Sequence, residues 1–335
     1  MAVHYPDYIQ RGGEICFNGP SRYDEVTLYG FILEVSNPAL RSMADRYLNQ
    51  PSRGEFKFSP HVDLLLVTFV RIEKTVSLHG LDHSTGTLAY NELGLWTFLD
   101  STRGMRAFSP YMWVDSPITM VSGREICGFP KSLGKIRIPD EPARNPEFSV
   151  HASSVAIYGR TNQFRELPVL QIRCPEPFEY RLEEEWTQDG ACALRHIAAR
   201  YKEVTKKSAS STPTDLSRLA SAIVNARIAW VFLKQIRGVA VAGRACYQAL
   251  TEASTTVTKF KGGHWMPAEK WEILFHDLDS APFVREFSLR GGSQPTNRDV
   301  PVAKTPAVAF CLRFSFECDL GREIWRAPVP EWSAS

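Results

Sequence analysis

The chain has 335 residues, 44% of them hydrophobic and 23% charged, which is enough apolar material for a sizeable core in one large domain or two. Its 39 basic and 37 acidic residues nearly cancel at a net charge of +2, and no block of like charge marks a nucleic-acid or anionic-membrane surface. Seven scattered cysteines without Cys-x-x-Cys spacing argue for reduced thiols in a cytoplasmic protein, while the absence of a signal-like start or of an apolar run of roughly 18 residues argues for a soluble one.

In chain order, Val26 to Val35 is rich in β-branched and aromatic residues and stops at Asn37-Pro38, which predicts a strand. Leu40, Met43, Ala44 and Tyr47 then share one face of a short helix over Pro38 to Leu48. Val62 to Ile72 reads as a strand, and its continuous apolar stretch Leu64-Leu65-Leu66-Val67 predicts burial on both faces. Two further strands are predicted at Leu88 to Phe98 and Tyr111 to Val121. His79 and His83 flank Asp82 at metal-ligand spacing, but Gly80 and Ser84-Thr85-Gly86 make the segment a loop, so a solvated turn is expected and no metal site.

Strands follow at Phe148 to Gly159 and Leu167 to Ile172, with a turn at Arg160 to Gln163 between them. A polar insertion lies at 176–212, and its end, Lys206-Lys207-Ser208-Ala209-Ser210-Ser211, reads as a mobile loop. From about Thr214, residues Leu216, Leu219, Ile223, Ala226, Trp230 and Leu233 recur at three- and four-residue steps and predict a long amphipathic helix packed on a sheet. Late strands are expected at Thr255 to Phe260, Trp271 to His276 and Val308 to Phe316, with Gly262-Gly263 and Gly291-Gly292 in the connections. Neither a dinucleotide-binding glycine motif nor a phosphate loop occurs. Many strands, few helices and no regular alternation define an α+β protein on antiparallel β-sheet.

Chemistry concentrates at Gly123-Arg124-Glu125-Ile126-Cys127-Gly128-Phe129-Pro130-Lys131-Ser132-Leu133-Gly134. A lysine amine is scarce in water at neutral pH, because its pKa is about 10.4. Burial penalises the ammonium and releases a nucleophile that attacks carbonyls to form a Schiff base. The residues alone leave open whether Lys131 is such an amine or an ordinary surface lysine after a turn.

Gly-Arg-Glu followed by Pro-Lys-x-Leu-Gly resembles the signature of the acetoacetate decarboxylase superfamily, as does Tyr90-Asn91-Glu92 ahead of it, which resembles the family's Tyr-x-Glu segment at the family spacing. The resemblance covers residues 18–140 and reaches the C-terminal half only in outline, where 244–250 resembles a segment of larger members. It implies a single domain over 1–335, closed into a cone-like barrel with flanking helices, in a homo-oligomeric enzyme without a cofactor. The resemblance makes Lys131 the imine-forming lysine and Glu92 a general acid/base or substrate-orienting group. Arg22 is implied to hold a substrate carboxylate, while Phe129, a candidate substrate-binding residue, either lines the pocket or fills the core. Glu125 and Ser132 belong to the motif in a structural or a catalytic role.

Ser132 stands where the decarboxylase has a second lysine, and the strand Val67-Thr68-Phe69-Val70 lacks the family's other carboxylate, for which Glu73 is a shifted alternative. Trp96 and Trp113 either line a pocket or fill the core. The expected function is a Schiff-base lyase acting on a small oxo acid or related carbonyl compound, by decarboxylation or by aldol and dehydration chemistry. The alternative is a non-covalent pocket protein or a cyclase of secondary metabolism, and burial of Lys131 beside Glu92 is compatible with either.

Overall fold

The structure is a computed structural model, and it describes residues 9, 16–80, 82, 84, 86–140, 147–175, 190–205, 227–239, 241–290 and 298–328. The strands of the larger sheet are β1 (Ser21–Glu34), β2 (Ser59–Pro60), β3 (Leu64–Ser77), β4 (Leu88–Asp100), β5 (Arg106–Val114) and β6 (Lys131–Leu133) from the N-terminal half. β7 (Lys135–Arg137), β8 (Glu147–Ser154) and β9 (Arg165–Arg173) belong to a second sheet. β10 (Arg227–Arg237) and β11 (Ala245–Met266) return to the first, β12 (Glu272–Phe275) and β13 (Val302–Lys304) to the second, and β14 (Val308–Cys318) and β15 (Arg322–Arg326) to the first. The helices are α1 (Asn37–Ala44), α2 (Pro117–Ser122), α3 (Gly190–Thr205) and α4 (Phe283–Glu286). None of the described helices is long and apolar enough to cross a membrane.

The first sheet runs β2-β4-β3-β1-β14-β11-β10-β5-β6, and β4 also pairs β5, so that seven strands from β4 round to β5 close into a barrel. Pairing is antiparallel except for a single β10–β5 bridge and the β5–β6 ladder, which are parallel. The second sheet, β13-β12-β9-β8-β7, is antiparallel throughout and packs on the outside of the barrel.

Strand alternation sorts the side chains into two cores. Phe31, Leu65, Phe69, Leu93 and Trp113 point outward and meet Phe148, Trp271 and Phe283 of the second layer. Ile32, Leu64, Phe98, Met112, Phe232 and Phe310 point into the barrel. Burial on both faces accounts for the continuous apolar run of β3, which an exposed sheet would have broken with polar residues.

Several expected elements differ. The run Ile118-Thr119-Met120-Val121 is helical, because Ser116 caps the turn through its side chain and Pro117 occupies the first helical position. A four-residue apolar run fits a strand and a buried helix equally well. Trp230 and Leu233 belong to β10, where Ile228, Trp230 and Phe232 follow a two-residue rhythm, and the helix predicted from Thr214 otherwise lies in 206–226, outside the described residues. Within the polar insertion, residues 190–205 form α3, whose Ala193, Ile197 and Tyr201 pack on the barrel core while the charged residues face out. The strand predicted to Gly159 ends at Ser154. Gly262 and Gly263 lie inside the 22-residue β11 at a bulge, where Gly262 has φ 138° and lets the long strand bend with the barrel. Gly291-Gly292 and His83 lie outside the described residues.

Candidate active site

The barrel encloses a cavity of about 270 Å³. Its wall is built from alternate residues of neighbouring strands: Leu66, Thr68, Val70 and Ile72 from β3, and Tyr90, Glu92, Trp96 and Phe98 from β4. Tyr90 and Glu92 are two apart on one strand, so both turn inward, and Glu92 lies in register between Val70 and Val114.

Lys131 reaches the same wall by a different route. After α2 the chain tightens into a π-turn at Gly123–Cys127, and Gly128 ends it in the left-handed conformation at φ 77°. A Cβ at Gly128 would lie 2.8 Å from the Lys234 Cα, so glycine is needed for close approach to β10 as well as for φ. The turn is fastened on both sides: Thr251 Oγ1 donates to the Cys127 carbonyl at 2.5 Å, and Arg124 donates to the Lys131 carbonyl at 3.0 Å. β6 then lies parallel to β5 with Lys131 opposite Met112, and both side chains enter the cavity.

The ammonium nitrogen of Lys131 is 2.9 Å from Glu92 Oε2, with both residues buried. The nitrogen also lies 5.3 Å from the Tyr90 ring centre and 5.2 Å from that of Phe129. Phe129 in turn packs on Trp230 and Phe232 at 4.7 and 4.5 Å between ring centres.

Burial by itself pushes the Lys131 ammonium toward deprotonation, but the charge of Glu92, the nearby Tyr23 and the Glu92 hydrogen bond outweigh it, and the pKa lies above the ordinary lysine value. The direction is therefore opposite to the one that burial alone leads the sequence to suggest. Tyr23 and Tyr90 have phenols raised well above the usual range by burial, so they are neutral and keep their hydrogen-bond donors.

The other motif residues are not brought to this place. Arg22 lies on β1, pairs with Asp24 at 3.1 Å with its side chain 41% exposed, and does not line the cavity; its neighbour Tyr23 turns inward instead. Glu73 is exposed. Ser132 alternates to the far side of β6, where it is exposed and borders a separate pocket with Pro130 and Trp113. Glu125 is exposed at the π-turn. Of the two tryptophans, Trp96 lines the cavity, and Trp113 fills the core between the sheets. Tyr23 was the functional candidate most readily missed, and the signal for it was its place one residue from Arg22 at the start of a strand.

A closed seven-strand barrel with a flanking antiparallel sheet, holding a buried lysine–carboxylate pair, defines the class of protein. The family model for acetoacetate decarboxylase matches residues 56–167, which include Glu92 and Lys131. No curated sequence relative matches the chain. Among solved structures, acetoacetate decarboxylase from Legionella pneumophila is similar at 15% identity and a TM-score of 0.57, covering 97% of this chain and 93% of that one. A second acetoacetate decarboxylase structure is 14% identical with a TM-score of 0.54, covering 92% and 91%. The enduracididine biosynthesis enzyme MppR, complexed with the condensation product of pyruvate and imidazole 4-carboxaldehyde, is 14% identical with a TM-score of 0.51, covering 94% and 92%. Residues 56–167 thus match the acetoacetate decarboxylase family model, and the fold of the chain is that of the acetoacetate decarboxylase structures.

Proposed function

We propose that the protein is a Schiff-base lyase whose nucleophile is Lys131 and whose general acid/base is Glu92. The observation that carries this reading is the 2.9 Å contact between the two groups on the wall of an otherwise apolar cavity. The paired ammonium is not itself nucleophilic, but a proton shift to Glu92 leaves a neutral amine and a neutral acid without changing the net charge of the site. A low-dielectric surrounding favours that neutral pair relative to water, since it removes two buried charges at once.

The amine then adds to a substrate carbonyl as the carbonyl π bond breaks, and the proton lost by the now positive nitrogen passes to the new oxyanion to give a neutral carbinolamine, leaving Glu92 protonated. Glu92, now protonated, gives its proton to the departing hydroxyl, and water and an iminium result. The iminium accepts the electron pair released when a carbon–carbon or carbon–hydrogen bond at the adjacent carbon breaks. Tyr23 and Tyr90 supply neutral donors beside the developing oxygen charge. Decarboxylation and aldol–dehydration chemistry both proceed from this iminium, and the condensation product held by MppR is of the second kind.

The test is borohydride reduction in the presence of β-keto acids, pyruvate, simple ketones and aldehydes, followed by intact mass and peptide mapping. An adduct on Lys131 in the wild type and none in Lys131→Ala is expected. The non-covalent reading, a binder or a cyclase of secondary metabolism, draws on the raised pKa of Lys131, since a held ammonium is a good hydrogen-bond donor. A Lys131→Ala variant that retains native activity would establish that reading. We further place the protein as a single-domain, cytoplasmic homo-oligomer, for which light scattering in solution tests the assembly.

A further inference from the structure

Resting on the carbonyl chemistry proposed for Lys131, we propose that the substrate is a neutral, apolar ketone or aldehyde that carries no ionised carboxylate. Of the two reactions named above, this leaves aldol–dehydration and excludes decarboxylation. The argument is one of charge and desolvation. Among the described residues lining the cavity, Glu92 and Lys131 are the only acidic or basic side chains, and they neutralise one another at 2.9 Å. A substrate carboxylate would enter as a third charge with no cation left to meet it. Leaving an anion uncompensated in an apolar cavity costs several kcal/mol.

The arginine that the family resemblance assigns to that task is on the outside of β1, held by Asp24. What the cavity offers instead is neutral. Tyr23 and Tyr90 keep their phenolic hydrogens near Lys131, enough to hold one carbonyl oxygen. The remainder of the wall, with Trp96, Phe98, Phe310, Leu312 and Phe314 among its residues, is hydrocarbon and aromatic surface that rewards an alkyl or aryl chain. The volume of about 270 Å³ lies just below the roughly 300–1,000 Å³ of drug-sized ligand pockets, which suits a small substrate. 2-Octanone has this size and chemistry.

The experiment uses the full-length wild-type protein at neutral pH with 2-octanone, 7-oxooctanoic acid and pyruvate at equal concentration. The first two share a methyl ketone and chain length and differ in the distal carboxylate. Borohydride-trapped adduct at Lys131 is quantified by peptide mapping, and tryptophan fluorescence is recorded in parallel, because Trp96 and Trp230 line the cavity. Adduct from 2-octanone at least about tenfold above that from either keto acid is expected, a ratio that corresponds to about 1.4 kcal/mol. Equal or greater trapping of a keto acid overturns the inference and leaves the imine reading standing. A fluorescence change with 2-octanone alone, without any adduct, supports the inference and sinks the imine reading. Neither signal with 2-octanone overturns the inference.

Discussion

Lys131 and Glu92 act as a unit, because each is buried and each is the other's counter-charge. In Glu92→Gln the Glu92 charge, the largest effect raising the Lys131 pKa, and the Glu92 hydrogen bond disappear. Desolvation, larger than any single raising effect, is then opposed only by Tyr23 and Cys127, so the pKa is expected to fall below the ordinary lysine value. The pH profile of Lys131 reductive alkylation, read by peptide mapping, measures this, and an unmoved profile would break the electrostatic account. Imine formation in the same variant should slow by about 10²–10⁴ for want of the acid/base group. The wild-type pair also has a pH signature in stability. A folded pKa above the unfolded value of about 10.4 means that the pair's contribution is complete below that pH and is lost as pH rises through the folded pKa. Alkaline unfolding of the wild type should therefore depend on Lys131 in a way that Glu92→Gln abolishes. Gly123 sets the position of the lysine stem, since a Cβ there would lie 2.8 Å from Lys131 Cδ. The obstructing atom belongs to a flexible side chain, so Gly123→Ala is expected to change the melting temperature little. It should cut the trapping rate by about tenfold or more by displacing the amine, and a rate equal to wild type would remove the positioning role.

At the scale of the element, β1 and β14 show how the cavity is shaped. Gly30 stands opposite Phe310 on the neighbouring strand, and a Cβ on Gly30 would lie 2.2 Å from the Phe310 ring. The ring lies over the glycine and presents its other side to the cavity. Gly30→Ala is expected to force Phe310 off its position, with a loss of about 1–3 kcal/mol and a smaller cavity. Denaturant unfolding measures the first effect, and weaker binding of 2-octanone measures the second. Intact stability in this variant would mean that the ring has another resting place. The element that led sequence reasoning astray sits just before the lysine. Asp115-Ser116-Pro117 carried a helix-start signal, yet the apolar run behind it masked the signal because its residues suit either structure.

Closure of the whole barrel relies on a polar tie as well as on its strands. Glu252 of β11 is buried, and it receives Arg106 of β5 and also Arg322 of β15, the latter at 2.8 Å. The carboxyl pKa is lowered, with burial opposing and the hydrogen bonds and charges of Arg322 and Arg106 prevailing. A depressed carboxylate pKa contributes stability that is present above the unfolded value of about 4.3 and is lost as pH falls through the folded value. Glu252→Gln should cost about 3 kcal/mol at neutral pH, at the low end for a buried pair because Arg322 and Arg103 keep contact with solvent. The gap between variant and wild type should narrow as pH is lowered toward 3. A gap independent of pH would assign the loss to packing instead of charge.

The sequence by itself determined the sheet-rich class, most strands, and the two motif residues that the structure brings within 2.9 Å, Lys131 and Glu92. These are local or family-bound signals: two-residue alternation, turn residues, and a motif whose spacing survives in this chain. Where a side chain points at the edge of an element was not legible. Arg22 and Tyr23 are adjacent, and only the register of β1 between β3 and β14 decides that the tyrosine faces the cavity. The same holds for Trp96 and Trp113, which differ in nothing local yet fall on opposite faces of the barrel wall. Trp230 fitted a helical stripe and belongs to a strand, because pairing with β11 supplies backbone hydrogen bonds that outweigh a weak local preference. The direction of the Lys131 pKa was a tertiary property too, since burial and a buried carboxylate act in opposite senses and their balance depends on a distance that only the closed barrel sets.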